Sequence, residues 1–301
     1  MADGVVDLLR EMAAPRAAAA SGVRRVLVGL VGRAIQASRT PAMHEREATR
    51  HGLDCTYVLI DFDRLGLADD RLGDVVAAAA ECGFDGLNVT HPFKQAAIGH
   101  VDALAPEAEA IGAINTIVFG EAGRTGHNTD SWGFSESFRE GLPGVRLDRV
   151  VQFGAGGAGA AVACALMGLG VDALAIVDSD TARADQLVRR MAPRFAGRIE
   201  LARDAASALA AADGIVNATP VGMAKYPGMS FDARHLTPRH WVAEIVYFPE
   251  ETELLRCARA LGCRTLAGAG MAIFQAVRAF ELFTGRTADR RAMASHFEAA
   301  A

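Results

Sequence analysis

The decapeptide VVQFGAGGAG, Val150–Gly159, constrains this chain more than any other stretch. A strand-like apolar run passes directly into Gly154, Gly156 and Gly159, spaced G-x-G-x-x-G, and then into a helical run of small residues. Glycines at that spacing permit a tight turn, let the backbone approach a pyrophosphate and let the following helix pack close to its strand, while the helix N-terminus favours anionic phosphates. The spacing alone is weak, because a structural glycine turn reads the same way. Here the next β-rich run, ALAIVD, ends at Asp178, near the interval of about 20 residues at which such folds place an acid for the adenosine ribose. Gly154, Ala155, Gly156, Gly157, Ala158, Gly159 and Asp178 are therefore the candidate dinucleotide-binding residues. A carboxylate at that point accepts from the ribose hydroxyls of NAD and repels the 2'-phosphate of NADP, so NAD is expected rather than NADP. Arg183 is the nearest cation downstream; it would lie on the adenine face or, in the alternative, reach a 2'-phosphate.

The rest of the chain alternates as α/β proteins do. With 301 residues, 51% of them hydrophobic, it is long enough for about two domains with substantial cores. VRRVLVGLVG, LDCTYVLIDF, FDGLNVT and GAINTIVF read as strands; PAMHEREATRHG, RLGDVVAAAAECG and PFKQAAIGHV read as helices between them. GEAGRTGHNTDSWGF, rich in Gly, Asn and Asp, reads as a turn and a domain crossing. The second half restarts with RVVQFG and continues through ALAIVD, RIELA, GIVNAT and HWVAEIVY with helices between. Right-handed crossovers then make it a doubly wound parallel sheet with helices on both faces. After CRTLAG, the helical run GMAIFQAVRAFELFTG and a last helix from Thr287 have no strand left to cover, so they are expected to return to the first domain. The expected division is a 1–22 extension (a short helix and an Ala-rich tether), an α/β domain of 23–125 plus 268–301, and a Rossmann-type dinucleotide domain of 126–267.

Composition removes other classes. Lys plus Arg number 31 against 36 Asp plus Glu, a net charge of -5, with no basic stripe for nucleic acid. Five cysteines without a CxxC pair indicate neither a disulfide framework nor a zinc knuckle and fit a reducing cytoplasm. The eight histidines form no HxxxH or Cys/His cluster, so no metal is expected. The N-terminus carries Asp3, Asp7 and Glu11 and is unlike a signal peptide. No window approaches the roughly 18 uninterrupted apolar residues of a membrane span. The expected partner is a small molecule, and the chain a monomer or a homodimer.

In LNVTHPFKQ, Leu87–Gln95, an apolar run ends in Asn88 and Thr90 and hands over through Pro92 to Lys94. Capping by Thr90 and a solvated first-turn lysine would explain it without function. Taken with SRTP, GAINT, GHNTD and GAGGAG in order, and with NATPVGM, VYFPEET and GMAIFQAVRAF later, the stretch gives the chain a different aspect. From about Val26 to Phe283 it resembles the shikimate dehydrogenase family, and within it the NAD-using quinate/shikimate branch. The resemblance implies an oxidoreductase that interconverts a 3-hydroxyl and a 3-ketone on a cyclic hydroxy acid: shikimate and 3-dehydroshikimate, extending to quinate and 3-dehydroquinate. Lys94 and Asp130 match its catalytic pair, Ser38 and Thr40 the hydroxyls on the substrate carboxylate, Asn88, Thr90, Asn115 and Gln275 the residues on the ring hydroxyls, and Tyr247 a tyrosine near substrate and nicotinamide. Thr219 and Gly268 are counted with the cofactor residues. Many shikimate-specific members have a second serine where Thr40 stands, a departure that leaves room for quinate. Singly, Ser38 could be a cap, Asn115 a turn residue, Gln275 an exposed helix position and Tyr247 core. NADP-dependent shikimate dehydrogenase and aminoshikimate dehydrogenase remain alternatives. A dinucleotide-binding regulator without turnover is the alternative of another class, and loss of the lysine or aspartate would mark it.

Overall fold

The computed structural model describes residues 2–12, 22–195 and 197–299. The expected Ala-rich tether lies outside them from 13 to 21. The chain forms two compact units, Met1–Thr129 with Ala276–Ala301, and Asp130–Gln275.

The first unit contains α1 (Ala2–Met12), β1 (Arg25–Gly32), α2 (Thr40–Arg50), β2 (Asp54–Asp61), α3 (Phe62–Leu65), α4 (Leu72–Glu81), β3 (Gly86–Val89), β4 (Ala103–Leu104), α5 (Pro106–Ile111), β5 (Thr116–Gly120) and β6 (Gly123–His127). Its six-stranded sheet runs β2-β1-β3-β5-β6-β4. β1 is parallel to β2 and β3, whereas β5 is antiparallel to both β3 and β6. The apolar runs at β1 and β3 form central strands, where side chains on both faces meet core rather than water. Register aligns Gly32 with Asp61 and Val31 with Val89. The loops after β1, β2 and β3 therefore leave from one edge of the sheet, the carboxyl ends at which α/β folds bind ligands. Val58, Ile60, Phe62, Val75, Val76, Leu87, Val89 and Phe93 share one core, which Val5, Val6 and Leu9 of α1 join from an amphipathic face.

Three expectations need correction here. The helix expected over 92–101 is a run of turns followed by a 3-10 turn at Ala96–His100. The Lys94 carbonyl accepts the Ile114 N–H at 2.8 Å, and Ile98 bonds back only three residues to Gln95 at 3.2 Å. Tertiary bonding has taken an acceptor that an α-helix would use. The strand expected from Gly112 begins at Thr116, because Gly112 has left-handed φ (69°) and ends α5, a helix the periodicity did not reveal. The Gly/Asn/Asp-rich segment from Gly120 holds the β5–β6 hairpin, which was not expected, before the units change at Thr129/Asp130, and β6 has too little apolar content to read as a strand.

α6 (Thr129–Gly141) leads into the second unit, followed by β7 (Arg149–Phe153), α7 (Gly157–Gly168), β8 (Ala173–Val177), α8 (Thr181–Phe195), β9 (Ile199–Leu201), α9 (Ala205–Ala211), β10 (Gly214–Asn217), β11 (Trp241–Glu244), α10 (Glu253–Ala260) and β12 (Arg264–Leu266). All six strands are parallel in the order β12-β11-β10-β7-β8-β9. The chain reverses its direction across the sheet between β7 and β10, the switch point where doubly wound sheets bind nucleotides. α11 (Ala269–Thr284) and α12 (Arg290–Ala299) end the described chain. α12 packs on α2 in the first unit, where Arg39 lies over Phe297 and Arg50 pairs with Asp289 at 2.8 Å. Among the described residues, no helix is long and apolar enough to cross a membrane.

Candidate functional site

In the second unit the glycine loop fills the turn from β7 to α7. Gly154 has φ 102°, and a β-carbon there would lie 2.5 Å from the Ala218 carbonyl oxygen. One on Gly159 would collide with the Gly154 carbonyl, so both positions exclude larger residues. Gly156 differs: nothing lies within 4 Å of its β-carbon direction, and it precedes the first turn of α7. Open space over backbone at a helix N-terminus fits a pyrophosphate. Ala155, Gly157 and Ala158 complete the loop. Gln152, buried and unremarked in sequence, donates to the Gly154 and Gly159 carbonyls at 2.8 Å each. A lone amide in an apolar strand just before the glycines was the available clue.

Asp178 follows β8, and its carboxylate bonds to this loop, accepting the Ala155 N–H at 2.7 Å and the Asp180 N–H at 2.9 Å. Asp180, not Asp178, accepts the Arg183 N–H at 3.1 Å in the first turn of α8. The Arg183 guanidinium lies 3.2 Å from Asp180 and 3.8 Å from Asp178, so two carboxylates already engage it. Thr219 donates its hydroxyl to Asn217 at 2.7 Å beyond β10, and Gly268 lies against the Ile245 and Val246 carbonyls. Asn217 donates in turn to both oxygens of Glu244, at 2.9 and 3.1 Å, and that carboxylate also accepts from Val246 N–H and the Thr252 hydroxyl. Glu244 thus ties together the loops after β10 and β11. Burial pushes its carboxyl up to about 7 against the bonds from Val246, Asn217 and Thr252. Nothing in the sequence marked Glu244 apart from its place at a strand end.

In the first unit, hydrogen bonds knit three motifs together. Val89 N–H donates to the Asn115 carbonyl at 2.7 Å, Ile114 N–H to the Lys94 carbonyl, and Asn115 N–H to the His127 carbonyl at 3.0 Å. The Asn115 carboxamide accepts Thr129 N–H at 2.8 Å and donates to the Thr129 hydroxyl at 2.9 Å. Asn88 accepts the Tyr57 hydroxyl at 2.7 Å and donates to Thr116 at 3.1 Å. Asn88 and Asn115 are only 4% and 3% exposed, so much of their hydrogen-bonding capacity serves the fold itself. Tyr57, Thr116 and Thr129 are the partners that sequence reading missed. NVTHPFK, GAINT and GHNTD are brought together, and Asp130 follows directly on Thr129, buried in the first turn of α6. Lys94 is half-buried in the turn after β3.

Ser38 accepts the Thr40 N–H at 3.3 Å just ahead of α2, a local turn bond rather than a cap, since the N-cap position is Arg39, and both side chains remain partly exposed. Thr90 is half-buried beyond β3. Tyr247 is 46% exposed rather than core. Gln275 is half-buried and donates to the Ala272 carbonyl one turn back at 2.9 Å. α11 meets α6 closely there, since a β-carbon on Gly133 would lie 2.7 Å from the Gln275 nitrogen.

A glycine-loop parallel sheet with an acid after its second strand defines a dinucleotide-binding protein, here joined to a separate α/β unit. Comparison with known proteins makes the class specific. Residues 30–117 match the shikimate dehydrogenase substrate binding domain, and residues 268–295 the shikimate 5'-dehydrogenase C-terminal domain. A shikimate dehydrogenase (NADP(+)) of Streptomyces avermitilis is 56% identical over 89% of this chain and 93% of its own. A quinate/shikimate dehydrogenase (NAD(+)) of Corynebacterium efficiens is 49% identical over 90% of this chain and 97% of its own. The solved quinate dehydrogenase from Corynebacterium glutamicum in complex with NAD superposes with a TM-score of 0.86 at 46% identity, covering 92% of this chain and 99% of that one. The chain belongs to the shikimate dehydrogenase family of oxidoreductases.

Proposed function

We propose that this chain is an NAD-dependent dehydrogenase that interconverts shikimate and 3-dehydroshikimate, with quinate as a second substrate. The observation that carries this reading is a set of bonds, from Ile114 N–H to the Lys94 carbonyl, from Asn115 N–H to the His127 carbonyl and from Thr129 N–H to the Asn115 side chain, which joins the lysine turn, the asparagine loop and the strand leading to Asp130. Ser38 and Thr40 would donate to the substrate carboxylate; Asn88, Thr90, Asn115 and Gln275 would hold ring hydroxyls; and Tyr247 would lie by the substrate and nicotinamide. The glycine loop, Asp178, Arg183, Thr219 and Gly268 would hold the dinucleotide, which when bound supplies the hydride acceptor.

The hydroxyl proton must leave as hydride departs from C3, since otherwise a protonated carbonyl would remain, and in the reverse direction hydride addition to the ketone puts negative charge on its oxygen. Lys94 would manage that charge, as a base accepting the proton or as a cation facing the oxygen, and Asp130 would share the proton as its coupled partner. In the reverse direction the same pair returns the proton to the ketone oxygen. Asp178 supports NAD as the cofactor, because its carboxylate and that of Asp180 already engage the Arg183 guanidinium. NADP is the second reading, favoured by the name of the 56% identical Streptomyces relative. Initial rates with shikimate and quinate, each against NAD and NADP, test all of this. The expected result is turnover of both acids with a higher kcat/KM for NAD; equal use of NADP would remove the reading of Asp178, and no turnover of either acid would remove the substrate assignment.

A further inference from the structure

We propose that Asp61, at the end of β2, is the positioning residue for the substrate-carboxylate clamp, holding the turn that presents Ser38 and Thr40. The inference rests on the assignment of those two hydroxyls to the carboxylate. Asp61 is 2% exposed, and its two oxygens accept four donors: the N–H groups of Ala34 at 3.2 Å, Ile35 at 3.2 Å and Asp63 at 3.1 Å, and the Gln36 amide at 2.9 Å. Three of the four belong to the turn after β1. From there the connection reaches the clamp in two links: Ser38 N–H donates to the Ile35 carbonyl at 3.0 Å, and the Ser38 hydroxyl accepts the Thr40 N–H at 3.3 Å.

The turn is not one the chain adopts without help. Ala34 has φ 53°, the left-handed region that non-glycine residues rarely occupy. On the other side the turn is seated against Thr90, since a β-carbon on Gly32 would collide with the Thr90 methyl, and Arg33 N–H donates to the His91 carbonyl at 3.1 Å. Asp61 therefore fixes the clamp relative to the turn that carries Thr90 and Lys94, within one unit. An ionised carboxylate suits this role. Burial pushes the Asp61 carboxyl up, but bonds from Gln36 and from the Asp63, Ile35 and Ala34 N–H groups outweigh it and lower the pKa. Asn at this position would turn an NH2 group toward N–H donors and lose at least one bond.

Steady-state kinetics of Asp61→Asn with shikimate and with its methyl ester test the role, with Ser38→Ala alongside. The expected result is a fall of about tenfold or more in kcat/KM for shikimate, carried by KM, with a smaller loss on the ester and an unchanged KM for the dinucleotide. Equal losses on acid and ester, or a loss in kcat alone, would overturn the inference. If Ser38→Ala itself does not discriminate acid from ester, the clamp assignment fails; if it does and Asp61→Asn does not, only the role of Asp61 fails. Should Asp61→Asn not fold, Gln36→Leu, which removes one donor to the same carboxylate, decides: a smaller acid-selective rise in KM supports the role, and none overturns it.

Discussion

In the first unit two of the residues assigned to the substrate are held by other side chains, Asn88 by Tyr57 and Thr116, and Asn115 by Thr129. In the second unit the nucleotide loop is mostly bare backbone, with open space at Gly156 and side chains such as Gln152 and Asp178 bonded to the loop rather than replacing it. The difference follows from the ligands each would hold. A hydroxylated ring is recognised by placed donors and acceptors, and a site built to pair hydroxyls rejects analogues that leave them unpaired. A pyrophosphate needs close backbone and a helix N-terminus. Substitutions at Ser38, Thr40, Asn88 and Asn115 should therefore change which acid is used and how fast, and those in the glycine loop and at Asp178 which dinucleotide.

The largest effect should come from the proposed catalytic pair. Lys94→Ala should lower kcat by about 10²–10⁴-fold, and Asp130→Asn should do likewise, while dinucleotide binding, read by fluorescence titration of NADH, stays within about twofold. Near-parent turnover by Lys94→Ala would show that the first unit does not supply the proton-handling group.

Buried titratable groups extend the contrast, because the two units should answer pH with opposite signs. His44 in the first unit is packed among Tyr57, Phe280 and Phe283, and burial pushes its pKa down to about 3. The unfolded chain takes up that proton near pH 6.5 and the folded one does not, so stability falls on acidification from about pH 6.5 toward 3. Glu244 in the second unit is raised from 4.5 to about 7, so its folded form keeps a proton the unfolded chain has lost. Stability from this group falls instead as pH rises from about 4.5 to 7, by about 3 kcal/mol at about 1.4 kcal/mol per pKa unit. Unfolding transitions followed across pH should show His44→Phe flattening the acid limb and Glu244→Gln the neutral limb. An unaltered neutral limb in Glu244→Gln would contradict the assignment.

A smaller effect is expected at the ribose. Two like charges about 4 Å apart near a surface cost a few kcal/mol before screening, so the parent should prefer NAD by about tenfold or more in kcat/KM. Asp178→Ala should narrow that gap by weakening NAD and admitting NADP. Smallest of all, Thr40→Ser should shift the shikimate-to-quinate ratio of kcat/KM by severalfold, on the scale of one methyl group in a pocket, and leave the NAD constant unchanged.

Legibility in the sequence followed the same division. Most of the second unit was readable, because β7, β8, β10 and β11 are compact apolar runs and the loop has a fixed glycine spacing, but β12 was not read as a strand and the link from β10 to β11 has a 3-10 turn at Ala233–His235 in place of the helix expected there. The first unit was harder where tertiary bonds override local pattern: the Lys94 carbonyl given to Ile114 undoes the helix expected from Pro92, and the polar β6 finds its place only beside β5. Motifs announced Lys94, Asn88, Asn115 and the residues of GHNTD. They did not announce Tyr57 or Asp61, which act through pairings with residues distant in the chain, nor Glu244, whose partners are Asn217, Val246 and Thr252.

If substrate choice rests on Thr40 and dinucleotide choice on Asp178, the two contributions should be independent. A double-mutant cycle of Thr40→Ser and Asp178→Ala measures that independence, with kcat/KM determined for shikimate and quinate against NAD and NADP. Thr40→Ser should move only the acid ratio, Asp178→Ala only the dinucleotide ratio, and the double variant should combine them additively to within about 0.5 kcal/mol. A coupling well beyond that, or a dinucleotide ratio that moves with Thr40, would show that the two choices are not separate.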